Sequence, residues 1–372
     1  MLWLYIIGGC IALFISYALW CLGDGIITFV SRRNIEAKRR KAKQPIQLVV
    51  TSRTDHTDDL FSVVLAHPKG KRLPKFQAGQ YLSLLASISG KSISRRYSLA
   101  QWQSRPRHYQ LGIRKVQDGQ LSSWVHQHLQ TGAKIELLPP AGHFTLQQAL
   151  ADKITTDIVL IGAGIGITPV KAMLDKLQHT NKRVHLFHSA RTASELLWYQ
   201  QFMALAQINT RFSYFPYLSQ PPADWTGHAG RIQVADIVRS GVVFNTTHFF
   251  MCARLDMMQQ IEQSLIEQGV PANHVHWESF GADTANQDQQ SYQVAIDGHG
   301  EFTFSGEPSL LQAMESWRVP IKADCRAGDC GECQMKIIDG SYKTTQPVTC
   351  QIAPEKVLAC CVVPAGNIRV ML

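Results

Sequence analysis

The chain has 372 residues, of which 45% are hydrophobic and 17% charged, and a formal net charge of +9. That length and balance allow two or three domains with buried cores and exclude a low-complexity or repeat protein. A nucleic-acid face is excluded too: residues 31–43, SRRNIEAKRRKAK, carry seven basic residues and one acidic one, and the rest of the chain is nearly balanced.

The first apolar run, residues 2–22, LWLYIIGGCIALFISYALWCL, has no charged side chain. As a helix it spans roughly 30 Å, the thickness of a bilayer core. Trp3, Tyr5, Tyr17 and Trp20 lie towards its ends, where aromatic rings favour the interface. A cleaved signal peptide needs a basic region before the run and a small-residue cleavage site after it, and neither is present. The expectation is an uncleaved single-pass anchor, residues 1–43 with the basic segment against membrane lipid and all that follows in the cytoplasm. A reducing compartment argues against disulfides.

From 44 to 150 short strands are expected (IQLVV, FSVVLA, QYLSLLA, RRYSLA, HYQLGIRKV, KIELL), separated by turn residues. Such spacing predicts a small antiparallel barrel. One helix, SSWVHQHLQ, interrupts it, with Trp124, Val125, His128 and Leu129 at helical spacing and Ser122 as N-cap. From 151 to 281 strands and helices alternate: IVLIG, RVHLFHS, FSYFPY, HFFMCA and HVHWESF, with helices around 193–206 and 255–268. That alternation predicts a parallel sheet covered by helices. Residues 282–290, ADTANQDQQ, read as a linker. The block 291–372 opens with a hairpin and a short helix, then enters a cysteine-rich loop.

Six of the nine cysteines fall from Cys325 to Cys361, in the pattern Cys325-x4-Cys330-x2-Cys333 followed by LACC at 358–361. Clustering of this kind points to metal rather than to a disulfide framework. Thiolates are soft anionic donors, and a [2Fe–2S] cluster needs four of them. Ala327, Gly328 and Gly331 leave backbone amides free to approach the sulfurs. A structural zinc site of four cysteines is the rival reading, although zinc loops more often come as two short paired knuckles. One triplet with a remote cysteine is similar to the plant-type ferredoxin pattern, over the whole of 291–372. That resemblance implies a β-grasp domain with Cys325, Cys330, Cys333 and Cys360 as ligands. Cys361 is expected to point the other way in a strand, and Cys350 to be a core cysteine.

A cluster passes single electrons whereas cellular reductant is hydride, and the converter is usually a flavin. In RRYS, Arg95 can neutralise a pyrophosphate, Tyr97 can stack on a flat ring, and Ser98 can hydrogen-bond the reactive edge. Gly79-Gln80-Tyr81 precedes this motif, and Gly119 with Ser122 opens the helix, whose N-terminus suits a phosphate. GAGIGITP, Gly162 to Pro169, follows an apolar strand and opens a helix. Its glycines Gly162, Gly164 and Gly166 let phosphate oxygens reach backbone N–H groups, with Thr168 expected as cap and Pro169 at the first helical position.

The order R-x-Y-S, G-x-x-S, Pro140-x-Gly142-x-Phe144, then GAGIGITP resembles the ferredoxin–NADP reductase superfamily over 45–281. The resemblance implies FAD, with FMN known in relatives. Arg95, Tyr97 and Ser98 then belong at the flavin and Gln120, Leu121 and Ser122 at its pyrophosphate, and NADH or NADPH at the glycine loop. Cys252 matches a residue beside the nicotinamide, although the family's usual Cys-Gly-Pro is here Cys252-Ala253-Arg254. Arg254 either holds the dinucleotide or faces solvent. Glu278 near the nicotinamide and Phe280 near the flavin are site candidates or packing residues. Arg191 is where a 2′-phosphate binds or merely flanks the adenosine.

The whole resembles reductase components of oxygenase and desaturase systems and the reductase of the hybrid cluster protein. It implies hydride transfer from NAD(P)H to FAD, then single electrons through the cluster to an acceptor protein, expected to be a membrane-bound oxygenase or desaturase. A quinone reductase and a non-enzymatic redox sensor are the alternatives.

Overall fold

The computed structural model describes residues 44–88, 91–116, 120–278, 291–307, 309–323, 328, 330–345, 348 and 350–372. The expected membrane span at 2–22, the basic run and the linker 282–290 lie outside the described residues. Among the described residues no helix is long and apolar enough to cross a membrane. The expected single-pass localisation, with its lipid partner, is corrected accordingly.

The first unit is a six-stranded sheet of β1 (Ile46–Asp55), β2 (Leu60–Ala66), β3 (Tyr81–Ile88), β4 (Lys91–Ser98), β5 (His108–Arg114) and β6 (Lys134–Ala141), in the order β4-β3-β6-β1-β2-β5. The two end strands of that order meet. Leu99, just beyond β4, bridges Leu111 of β5, and the Ala100 amide donates to the Gln110 carbonyl at 2.8 Å. The sheet therefore closes into the expected barrel, which removes its open edges. Helix α1 (Gln120–His128) stands between β5 and β6, and α2 (Gln147–Ala151) follows β6. Leu48, Leu60, Phe61, Leu65, Leu82 and Leu84 are fully buried. Each contributes roughly 1.5–3 kcal/mol through burial.

The second sheet is parallel, with β7 (Asp157–Ala163), β8 (Arg183–Ala190), β9 (Phe212–Leu218), β10 (His228–Ala229), β11 (Thr247–Cys252) and β12 (Val275–Glu278) in the order β10-β9-β8-β7-β11-β12. Its central strands are continuous apolar runs because helices cover both faces. These are α3 (Ile167–Leu177), α4 (Tyr199–Ile208), α5 (Val234–Arg239) and α6 (Leu255–Glu267). The single helix expected over 193–206 is divided. A 3-10 turn at Ala193–Glu195 precedes α4, and Trp198 between them has φ of 60°.

The third sheet has β13 (Tyr292–Ile296), β14 (Gly300–Phe304), β15 (Gln334–Thr344), β16 (Lys356–Leu358) and β17 (Val362–Met371) in the order β14-β13-β17-β15-β16. Only β13 and β17 run parallel among the recorded pairs; the other pairs are antiparallel. Helix α7 (Leu310–Ser316), capped by the Ser309 hydroxyl, packs Leu310, Leu311, Ala313 and Met314 into the core beneath it.

Candidate functional site

The order of the parallel sheet reverses at β7, which lies between β8 and β11. In open α/β sheets the crevice beyond the carboxyl ends at such a reversal binds ligands. Register sets Gly162 of β7, Cys252 of β11 and Glu278 of β12 side by side at that edge. The three loop glycines are needed for three different reasons. A Cβ at Gly162 would lie 2.9 Å from Ile167 Cα, so this glycine lets α3 start against β7. A Cβ at Gly166 would lie 2.0 Å from the Cys252 carbonyl oxygen. Gly164 alone has open space beside it, with φ of +55°. Only there does the expected reason, close approach of a phosphate to the backbone, apply directly.

Two expectations about this loop are corrected. Gly164–Gly166 forms a 3-10 turn that runs directly into α3, so the helix begins at Ile167 and Pro169 is its third residue. Thr168 is inside the helix as well, and its hydroxyl donates back to the Ile165 carbonyl at 2.9 Å instead of capping. Cys252 is fully buried. Burial first, and the neighbouring Glu278 second, push its thiol well above the ordinary range, so it stays protonated. Arg254 faces solvent, paired with Asp256 at 2.9 Å. Arg191 is exposed, and its Nε lies 3.7 Å from Glu195.

On the barrel, alternation along β4 places Arg95 and Tyr97 on one face and Arg96 and Ser98 on the other. Arg95 is exposed. Burial pushes the Tyr97 phenol up to about 12. Arg96 lies over the Tyr81 ring, 4.0 Å from its centroid. The Ser98 hydroxyl is buried without a hydrogen-bond partner. A desolvated orphan hydroxyl is the kind of group a flavin edge satisfies. The two flanking motifs hold each other: Gln80 donates to the Gly142 carbonyl at 3.1 Å, and a Cβ at Gly79 would lie 2.0 Å from the Phe144 carbonyl oxygen. Ser122 lies in the first turn of α1, not at its cap, and its hydroxyl accepts from the Val116 amide at 3.1 Å. Gly119 and Phe280, and the side chains of Gln120 and Leu121, lie outside the described residues.

Barrel and parallel sheet meet along a seam that sequence reasoning did not identify. A Cβ at Gly112 of β5 would lie 2.6 Å from Thr168 Cγ2 and 3.3 Å from Ile165 Cδ1. Beside it, Arg114 reaches Glu195 at 2.8 Å, and the Trp102 amide donates to Asp175 at 3.1 Å. The only sequence signal was a glycine in mid-strand, which often marks close approach of another backbone or ligand.

In the third unit Cys333 and Cys360 are buried and hydrogen-bonded through their sulfurs. That bond lowers the Cys333 thiol and raises the Cys360 thiol. The Glu332 amide donates to the Cys330 sulfur at 3.4 Å. Such a donor set fits an iron–sulfur cluster. Cys325 and Ala327 lie outside the described residues. Cys350 is half-buried and packs against the core. The expectation that Cys361 turns away in a strand is corrected: Ala359–Cys361 is a 3-10 turn, and the Cys360 and Cys361 sulfurs are 3.6 Å apart. An apolar, cysteine-rich run reads as strand from composition, but the tight turn places both thiols on the buried side.

Comparison with known proteins agrees with this three-part anatomy. Residues 47–146 match the family model of the oxidoreductase FAD-binding domain, 160–263 that of the oxidoreductase NAD-binding domain, and 294–365 that of the 2Fe-2S iron-sulfur cluster binding domain. The glycine betaine monooxygenase reductase subunit of Chromohalobacter salexigens is 25% identical, over 79% of this chain and 87% of its own. The ferredoxin reductase component of 3-ketosteroid-9-alpha-monooxygenase from Rhodococcus rhodochrous is 28% identical over 80% of this chain and 87% of its own. In fold the chain is similar to phthalate dioxygenase reductase, with a TM-score of 0.63 and 20% identity over 88% of this chain and 98% of that one.

Proposed function

We propose that this chain, an oxidoreductase of the ferredoxin reductase type with FAD-, NAD- and 2Fe-2S-binding domains, is the reductase component of an oxygenase system. The observation that supports it best is the union of the three domains in one chain. A thiol-rich domain after a complete reductase has a use only if electrons leave one at a time for another protein. Bound flavin and cluster supply that conversion from a two-electron donor to single electrons.

In this reading NADH or NADPH lies across the crevice, its phosphates at Gly164 and the start of α3 and its adenosine side towards Arg191. Gly162 and Gly166 keep α3 pressed onto β7 and β11, so the loop is rigid before the coenzyme arrives. The protonated Cys252 thiol and Glu278 line the nicotinamide end of the crevice. Arg95 would neutralise the FAD pyrophosphate together with Gly119, Gln120, Leu121 and Ser122, Tyr97 would stack on the flavin, and Ser98 would donate to its reactive edge. Phe280 is retained as a flavin contact. Cys325, Cys330, Cys333 and Cys360 hold the cluster, with domain boundaries near residue 150 and across 282–290.

The test is an anaerobic reduction with NADH and with NADPH, followed by turnover with ferricyanide, cytochrome c and a purified terminal oxygenase. Cys330→Ser is expected to keep ferricyanide reduction and lose both cytochrome c reduction and oxygenase turnover. Undiminished oxygenase turnover in that variant would show that electrons bypass the third unit.

A further inference from the structure

At the other end of the parallel sheet from the nucleotide crevice, Asp152, His248 and His274 bring one ligand atom each within 4.8 Å of one another. They come from three separate pieces of chain. Asp152 directly follows α2, on the segment leading from the barrel into β7. His248 is the second residue of β11, and His274 closes the turn before β12. Cys252 lies four residues further along β11, roughly 13 Å at strand rise, so this cluster takes no part in the crevice.

His248 is 1% exposed and His274 7%. The Nδ1 atom of His274 is buried and has no hydrogen-bond partner. The His274 ring stacks on His248, with centroids 4.0 Å apart, but stacking leaves that nitrogen unpaired, which is unfavourable; a shared ion would turn one ring out of the stack. His248 presents Nε2 to Asp152 at 3.4 Å, while its Nδ1 lies 2.9 Å from His276 Nε2. If His248 Nδ1 carries the hydrogen and donates to His276, the Nε2 lone pair is free. That is how a ligating imidazole is usually held from behind. His276 is itself fixed by stacking on Phe250, with centroids 4.5 Å apart.

We propose that Asp152, His248 and His274 bind one Zn2+ ion, with His276 as the positioning residue that orients His248. Two imidazoles and one carboxylate form a donor set that zinc accepts, and three protein ligands leave the fourth tetrahedral position to water. Lys182 is the nearby cation, and its ammonium is engaged by the Thr155 carbonyl. The site faces away from the coenzyme and joins the barrel connection to two strands, so the ion acts as a clasp and not in the redox reaction.

The experiment uses the full chain with flavin and cluster in place, chelator-treated and then dialysed against buffered Zn2+, with zinc and iron counted in the same sample. One zinc per chain beyond the cluster iron is expected, together with a rise in melting temperature. His274→Gln and Asp152→Asn should each weaken zinc binding at least about tenfold and abolish that rise, and His276→Gln should weaken it by a smaller factor. Reduction of ferricyanide by NAD(P)H should be unchanged in all of them. If His274→Gln does not fold, Asp152→Asn alone decides, because its side chain is partly exposed. Absence of zinc binding with iron retained, or equal zinc binding in the variants, would overturn the proposal; the second result would place the metal elsewhere, cysteines included.

Discussion

Gly166 rests on Cys252: a Cβ at 166 would lie 2.0 Å from the Cys252 carbonyl oxygen and 3.3 Å from its sulfur. The obstruction is backbone, so no rotamer change relieves it. Gly166→Ala is expected to push the start of α3 off β11, cost about 1–3 kcal/mol, and raise KM for NAD(P)H at least tenfold. Gly164→Ala has room but a left-handed backbone, at a cost of roughly 1–2 kcal/mol. Thermal melts and steady-state ferricyanide assays separate the two. A wild-type melt and KM for Gly166→Ala would contradict the packing described here.

Ser98 provides a contrast between stability and rate. Its hydroxyl is buried and unpaired, so Ser98→Ala should leave the stability of the chain stripped of flavin unchanged or slightly raised. With FAD bound, the rate of flavin reduction by NAD(P)H in stopped flow should fall by one to two orders of magnitude. An unchanged rate removes Ser98 from the reactive edge.

The cluster ligands are tested by colour. Cys333→Ser and Cys360→Ser should lose the visible iron–sulfur absorption and cytochrome c reduction while retaining ferricyanide reduction, since the reductase domains have their own cores. Cys361→Ser should keep the cluster. Because the two sulfurs are only 3.6 Å apart, the reverse result would assign the fourth position to Cys361.

Stability should fall in mild acid. His188 is fully buried, its Nδ1 3.0 Å from the Tyr214 hydroxyl, and burial takes its pKa down to about 3. The unfolded chain protonates this group near 6.5 and the folded chain does not. The fold therefore has its full stability with respect to His188 above about pH 6.5 and loses it as pH falls towards about 3, by roughly 1.4 kcal/mol per pH unit. Denaturant melts between pH 4 and 7 should show this slope, and His188→Gln should flatten it.

Much of the architecture was legible because each period of the chain matched its burial. Runs such as IVLIG announced a strand covered on both faces, and short strands separated by turn residues announced a barrel. What escaped was anything that depended on distant pieces meeting. The bridge from Leu99 to Leu111 closes the barrel through a pair with no local signature. His248, His274 and His276 sit within stretches that read simply as strands, and Asp152 lies 96 residues before His248, so no spacing motif joins them. Pro169 was misplaced because a 3-10 turn, invisible to helical periodicity, opens the helix early. The LACC stretch failed for the same reason, since an apolar run does not reveal whether it extends or turns.

Gly112 has a consequence for anyone recombining these modules. Its missing side chain is the space that Thr168 and Ile165 occupy, so the barrel and the dinucleotide sheet are fitted to each other at one hydrogen atom. A chimera that joins this barrel to a foreign sheet inherits a notch cut for a particular corner. Shuffling at the proposed boundary near residue 150 should therefore succeed only when β5 and the Ile165–Thr168 corner travel together, which makes the seam, not the domain, the exchangeable part.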